Sequence, residues 1–181
     1  ADEAERQEDE ALRAALRAIA EETERPRAVS VVRLQAIHDR DGGVALARQG
    51  GGRMEAGDAA AELYGYGHSN VLFKPTKAAE YQFRPTGADA MSYFVGGKVV
   101  DDGYDEDAGF AINGGKGWKD VVFRNHQIDI LGDAAIAMGE YWFTCATTGD
   151  VNKVEYTFGY KKNDDGKVRI FLHHSSVPYG A

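Results

Sequence analysis

Four long segments between residues 119 and 177 decide the fold: Lys119–Leu131 (KDVVFRNHQIDIL), Ala134–Thr147 (AAIAMGEYWFTCAT), Lys153–Lys161 (KVEYTFGYK) and Lys167–Val177 (KVRIFLHHSSV). Each is rich in β-branched and aromatic residues, whose side chains suit a pleated, half-buried surface. The breaks between them are Gly132-Asp133, Thr148-Gly149-Asp150 and Asp164-Asp165-Gly166, all of them turn chemistry. Connections this short join antiparallel neighbours, so the four strands form a meander.

Upstream the pattern is helical. Residues 2–25 read as an exposed amphipathic helix, with Leu12, Leu16 and Ile19 at helical spacing and acidic residues loading its first turns. Pro26 ends it. A second helix is expected over about 28–46, broken by Gly50-Gly51-Gly52, and a short third over about 55–63. Val71–Phe73 and Tyr81–Arg84 read as short extended pieces. Thr86 caps a helix over 87–95 that stops at Gly96-Gly97, and a loop rich in Asp and Gly runs from Asp101 to Gly117. Helices first and a long meander afterwards give an α+β fold, N-terminal helices packed on a curved antiparallel sheet. The expected organisation is an acidic N-terminal helix at 1–27 followed by one α+β domain at 28–181.

Composition narrows the function. The chain carries 21 Lys and Arg against 29 Asp and Glu, a net charge of −8. A surface that acidic disfavours phosphate backbones and anionic lipid, so neither nucleic acid nor a membrane is an expected partner. Hydrophobic residues at 43% and charged residues at 28% are ordinary for a globular chain. Cys145 is the one cysteine, which excludes an internal disulfide framework and a thiolate zinc knuckle. The compartment stays open; a periplasm or plastid reached after removal of a targeting peptide fits a start at Ala1.

Several chemistries fail on spacing. His173 and His174 are adjacent on a strand and point to opposite faces, so they cannot share an ion. The acidic run Asp101, Asp102, Asp105, Glu106 and Asp107 lacks calcium-loop spacing and reads as a solvated loop. No metal and no cofactor is expected. No G-x-S-x-G is present, Cys145 lies in an apolar strand, and the glycines at 114, 115 and 117 precede a strand rather than a phosphate-binding helix. What remains is a hydroxyl-rich strand end, His173-His174-Ser175-Ser176. Alternation sorts it into two sets, His173 with Ser175 and His174 with Ser176, one of which faces the covered side of the sheet. Satisfying a strand end is the plain alternative to a catalytic role.

Further segments carry a resemblance. Val71-Leu72-Phe73-Lys74-Pro75-Thr76, Ser92-Tyr93-Phe94-Val95-Gly96-Gly97 and His173-His174-Ser175-Ser176-Val177-Pro178 look like the iota class of carbonic anhydrases. Gly109-Phe110-Ala111, Gly117-Trp118 and Tyr156–Lys162 fall in the same order as similar stretches of that family. The region 64–179 is similar, more distantly, to the association domain of calcium/calmodulin-dependent protein kinases. Both families share the cone-shaped nuclear-transport-factor-like fold. The resemblance implies a carbonic anhydrase that hydrates carbon dioxide reversibly to bicarbonate without a metal, and a homodimer. It assigns Thr76, Tyr93, His173 and Ser175 as catalytic, with Thr76, Tyr93, Ser175, Phe94 and Trp118 contacting substrate. His174 and Ser176 are the second choice for the strand pair. His173, with an ordinary pKa near neutrality, is the expected proton acceptor. The competing readings are a non-catalytic hub that oligomerises or binds a small ligand, and an isomerase or dehydratase relying on a buried Asp, for which Asp129 is the best placed.

Overall fold

The computed structural model describes residues 60–180. The helices expected at 2–25 and 28–46, most of the one at 55–63, and the division at residue 27 lie outside the described residues. Within them, helical residues 60–63 lead into β1 (Leu72–Lys74), α1 (Gly87–Val95), β2 (Trp118–Leu131), β3 (Ala134–Cys145), β4 (Val151–Lys162) and β5 (Val168–Ser176).

The four long strands form the antiparallel meander β2-β3-β4-β5, and β1 adds to its outer edge in the order β1-β5-β4-β3-β2. β1 runs parallel to β5, pairing Leu72 with Leu172, Phe73 with His173 and Lys74 with His174. Register shifts at Trp118/Asp120, Asn125/Gln127 and Gly159/Tyr160 interrupt the ladders. Such irregularities bend a strand and sharpen its twist, which curves the sheet.

Alternation along β3 and β5 sends Ala135, Ala137, Tyr141, Phe143, Ile170, His173 and Ser175 inward. α1 lays Ala90, Tyr93 and Phe94 against that face, joined by Tyr64 and Phe73. The helix is cut as its sequence dictates. Thr86 Oγ1 accepts from Asp89 N–H while the Asp89 side chain accepts from Thr86 N–H, a complete capping box, and Gly96 ends the helix at a φ of 107°.

Two segments find side-chain partners. Tyr81–Arg84, expected as a short extended piece, joins no strand of the sheet; the Glu106 carboxylate accepts from the N–H groups of Ala79, Glu80 and Tyr81. The run 101–107 is likewise not merely solvated, since Asp107 is buried and ion-paired with Arg84 at 2.8 Å.

The segment 97–107 folds back so tightly that glycine is required at its neck. A Cβ on Gly97 would lie 1.8 Å from the Tyr104 carbonyl oxygen, and one on Gly103 would lie 2.2 Å from that of Gly97. Backbone cannot yield as a side-chain tip does, so overpacking here is costly. Gly97→Ala should lower the stability of the folded chain by about 2 kcal/mol or more, read from the urea midpoint at unchanged slope; a loss below ~0.5 kcal/mol would show that the turn is not this close.

Candidate functional site

Among the described residues, a concavity lies on each side of the sheet. One, of about 560 Å³, opens on the outer face and is lined by polar groups including Arg124, His126, Glu155, His174 and Ser176. The other is a partly enclosed space of about 30 Å³ between α1 and the inner face, walled by Tyr93, Phe94, Phe110, Tyr141, Phe143, Phe158, His173 and Ser175 among others. The second has room for little more than one small molecule. Its walls are nearly all aromatic, and its few polar groups converge. For these reasons it, and not the larger outer depression, is the candidate site.

β5 supplies the imidazole and one hydroxyl. His173 lies across the parallel pair from Phe73, and its ring sits against Phe73 at 4.8 Å and Phe158 at 4.3 Å between centroids. Its two nitrogens are both engaged: Nδ1 lies 2.6 Å from the Tyr64 hydroxyl and Nε2 lies 3.2 Å from Ser175 Oγ. Burial pushes its pKa down to about 3, and His174 adds a smaller repulsion. The imidazole is therefore neutral at physiological pH, which corrects the expectation that it exchanges protons near neutrality. The larger cause is desolvation between two phenyl rings, with the His174 repulsion second.

Thr76 follows β1 on the loop that leaves the sheet edge. Its hydroxyl and that of Ser175 stand beside the Tyr141 phenol and partly offset the burial that holds this group well above its ordinary pKa. Tyr93 projects from α1; burial also raises its pKa, opposed in part by the Lys77 backbone N–H beside the phenol oxygen. Tyr64, Tyr93 and Tyr141 thus stay protonated while His173 stays unprotonated, all from loss of water.

Of the residues singled out from sequence, Tyr93, Phe94, His173 and Ser175 line the cavity, and Thr76 stands behind the lining, beside the Tyr141 phenol. Trp118 is not on the wall. Its indole N–H donates to the Phe110 carbonyl at 2.8 Å and its ring packs behind Phe110 and Phe143, so it supports the wall from a layer further out. His174 and Ser176 face the outer concavity. Asp129 is exposed, and the buried carboxylate is instead Asp107, fully occupied by Arg84 and by Ser92 Oγ at 2.6 Å. Tyr141 and Tyr64 were not singled out. The signal for Tyr141 was its parity with Phe143 on β3; for Tyr64, before the strands begin, no local signal exists. Among the described residues no three His, Cys, Asp or Glu side chains are grouped to hold a metal.

Comparison with known proteins adds the following. A family model described as metal-independent carbonic anhydrase matches residues 41–177. A metal-independent carbonic anhydrase of Nostoc sp. (strain PCC 7120) is 42% identical over 119 residues, which is 65% of this chain and 55% of that protein. The chain thus spans about half the length of that curated relative. The crystal structure of an iota-carbonic anhydrase from a cyanobacterium, complexed with bicarbonate, superimposes with a TM-score of 0.66 at 33% identity, covering 100% of this chain and 94% of that one. A Thiobacillus denitrificans protein assigned to the association domain of type II calcium/calmodulin-dependent protein kinase gives a TM-score of 0.47 at 17% identity, over 77% of this chain and 95% of that one.

The depressed pKa of His173 has a consequence for stability. Above its ordinary value of 6.5 both folded and unfolded chains hold it neutral. As pH falls from 6.5 towards about 3, only the unfolded chain takes up the proton, so stability is lost across that window. The slope attributable to this residue is about 1.4 kcal/mol per pH unit. Urea titrations between pH 7 and 4 should show that slope reduced by one proton in His173→Gln. An equal slope in both proteins would mean that the ring is not buried unprotonated.

Proposed function

Because the chain belongs to the family of metal-independent carbonic anhydrases, we propose that its aromatic cavity interconverts carbon dioxide and bicarbonate. Thr76, Tyr93, His173 and Ser175 are the groups we assign to the reacting atoms, with Phe94 in the apolar wall. The observation that supports this reading most is the meeting of the Tyr93, Tyr141 and Ser175 hydroxyls with a neutral imidazole at a space of about 30 Å³, with Thr76 beside Tyr141. A space that small admits a triatomic substrate and excludes the larger ligands a binding hub would take.

Hydration requires a water oxygen to bond to the carbon while one C–O π pair moves onto oxygen and the water loses a proton. Zinc enzymes solve the proton problem by lowering the pKa of bound water from 15.7 to about 7. Without that ion, the proton must leave as the new bond forms, and a positioned base supplies roughly 10² to 10⁴ in rate. Thr76 and Ser175 hydroxyls both accept and donate, so they can hold the attacking water. With the Nδ1 proton directed at the Tyr64 oxygen, Nε2 presents its lone pair to Ser175. The water proton then passes to Ser175 Oγ as the Ser175 proton passes to Nε2.

An imidazole with a pKa of about 3 is a weak base at rest. Negative charge building on the nascent bicarbonate changes that, since an opposite charge a few ångströms away in a dry cavity favours imidazolium. Tyr93 and Tyr141 donate to the oxygens that gain charge; donors of this kind are worth about 10² to 10³ each. When bicarbonate leaves, burial again disfavours the imidazolium and the proton is shed. Dehydration runs the same steps in reverse.

Stopped-flow hydration assays test the assignment. Activity should persist in a strong chelator, and Thr76→Val and Ser175→Ala should each reduce kcat by about 10² in protein that remains folded. Abolition by chelator with recovery on one divalent ion, or a Thr76→Val variant within twofold of the parent, would sink it.

We also infer a homodimer, formed through the outer face of the sheet. That face exposes Val122 and Met138 beside Trp142, interleaved with Arg124, Glu140 and Lys153. Apolar side chains set among both signs of charge suit a self-complementary two-fold contact. Sedimentation equilibrium should give twice the chain mass, falling to a monomer in Met138→Glu; a monomer in the parent would exclude the assembly.

A further inference from the structure

Thr76 and the Lys77 N–H stand at the base of a loop, 75–83, whose neck is closed by the Arg84 N–H donating to the Phe73 carbonyl at 2.9 Å. A loop of that length fixes nothing by itself. What holds it is a pair of acidic residues from the segment 97–107. The two oxygens of Glu106 accept from Ala79 N–H at 2.8 Å, Glu80 N–H at 3.0 Å and Tyr81 N–H at 2.8 Å. The Arg84 guanidinium donates to the Tyr81 carbonyl and to Asp107 at 2.8 Å, and lies 3.7 Å from Glu106. The second Asp107 oxygen accepts from Ser92 on α1, next to Tyr93. Tyr81 also stacks on Tyr104 at 4.4 Å.

The loop is therefore registered against α1 twice. Near its start the Lys77 N–H meets the Tyr93 phenol, and at its end Arg84, Asp107 and Ser92 form a buried chain. Between these points the only ties on residues 79–81 from outside the loop and its neck, among those described, are the Glu106 carboxylate and the Tyr104 ring. We propose that Glu106 is a positioning residue for the proposed hydration reaction: by clasping the amides of 79–81 it sets where the Thr76 hydroxyl and the Lys77 N–H stand against Ser175, Tyr141 and Tyr93. This rests on the carbonic anhydrase reading above.

The geometry also separates positioning from folding. Ala79, Glu80 and Tyr81 are exposed, so water satisfies their amides if the carboxylate is removed. Arg84 and Asp107, by contrast, are buried, and losing either would leave an unpaired charge in the core. Removing Glu106 thus leaves the fold standing and frees the loop. Displacement of a reacting group by about 1 Å can cost 10² in rate. Hydrogen bonds to Glu80 and its neighbours hold the Glu106 pKa down to about 2, so the clasp is charged at every pH at which the protein would work.

The test is steady-state hydration, thermal unfolding and amide exchange on Glu106→Ala, Glu106→Gln and Glu106→Asp in the full chain. In the Ala variant kcat should fall tenfold or more with KM within twofold, because residues 79–81, which the carboxylate holds, are not among those that wall the cavity. Exchange at residues 77–82 should rise while the strands stay protected. Gln, which replaces one acceptor by a donor, should resemble Ala; Asp, which keeps both oxygens, should recover part of kcat. An Ala variant with kcat within twofold of an active parent, or activity lost only in proportion to the folded fraction, would overturn the positioning role and leave the carbonic anhydrase reading intact. A parent chain without hydration activity would overturn that reading, and this one with it.

Discussion

Three residues of parallel pairing, β1 against β5, bring the candidate site together. The meander β2–β5 would form a curved sheet without them, but β1 sets Phe73 directly opposite His173 and releases the chain beside Ser175, where Thr76 meets the Tyr141 phenol. Without that pairing the imidazole would lose one of the two rings that enclose it. The loop 75–83 would also have no fixed origin. A short edge strand is weak alone; here its position is reinforced by the Arg84–Phe73 backbone bond at the far end of the loop.

That dependence explains what could be read in advance. The four long strands were legible because each carries its own signal in β-branched and aromatic content and in turn residues, and their observed bounds differ from the expected ones by two residues at most. The helix at 87–95 was legible because Thr86, Asp89 and Gly96 mark its ends locally. The inward placement of His173 with Ser175 could be reduced to two choices by parity, and resemblance chose between them. Trp118 stands a layer behind the wall it was expected to join, because an aromatic in a cavity wall and one behind it look alike in sequence. Arg84 paired with Asp107, and Glu106 clasping 79–81, bridge more than twenty residues through side chains in segments with no periodicity, so nothing local announced them.

Desolvation does two opposite things within one cavity. It disfavours phenolate at Tyr64, Tyr93 and Tyr141, and it disfavours imidazolium at His173. The result is a set of neutral donors facing a neutral acceptor, with no resident charge. A cation in the wall would bind bicarbonate in the ground state as well as in the transition state, and binding both equally does not raise kcat. Neutral dipoles held in place act most strongly where charge is forming, and they need no reorganisation when it does.

The charges this arrangement excludes from the cavity appear immediately outside it. Arg84, Glu106 and Asp107 carry full charges, satisfied by one another and by backbone groups, and grip the loop that delivers Thr76. Charged hydrogen bonds are about twice as strong as neutral ones, so they are better suited to fixing a flexible segment than to lining a site that must stay uncharged at rest. Had the same groups lain against His173, their fields would have pulled its pKa in one direction or the other and removed the balance that burial alone provides. Keeping strong electrostatics in the support, and weak polar groups at the reacting atoms, is what allows a water-excluding pocket to be both rigid and neutral.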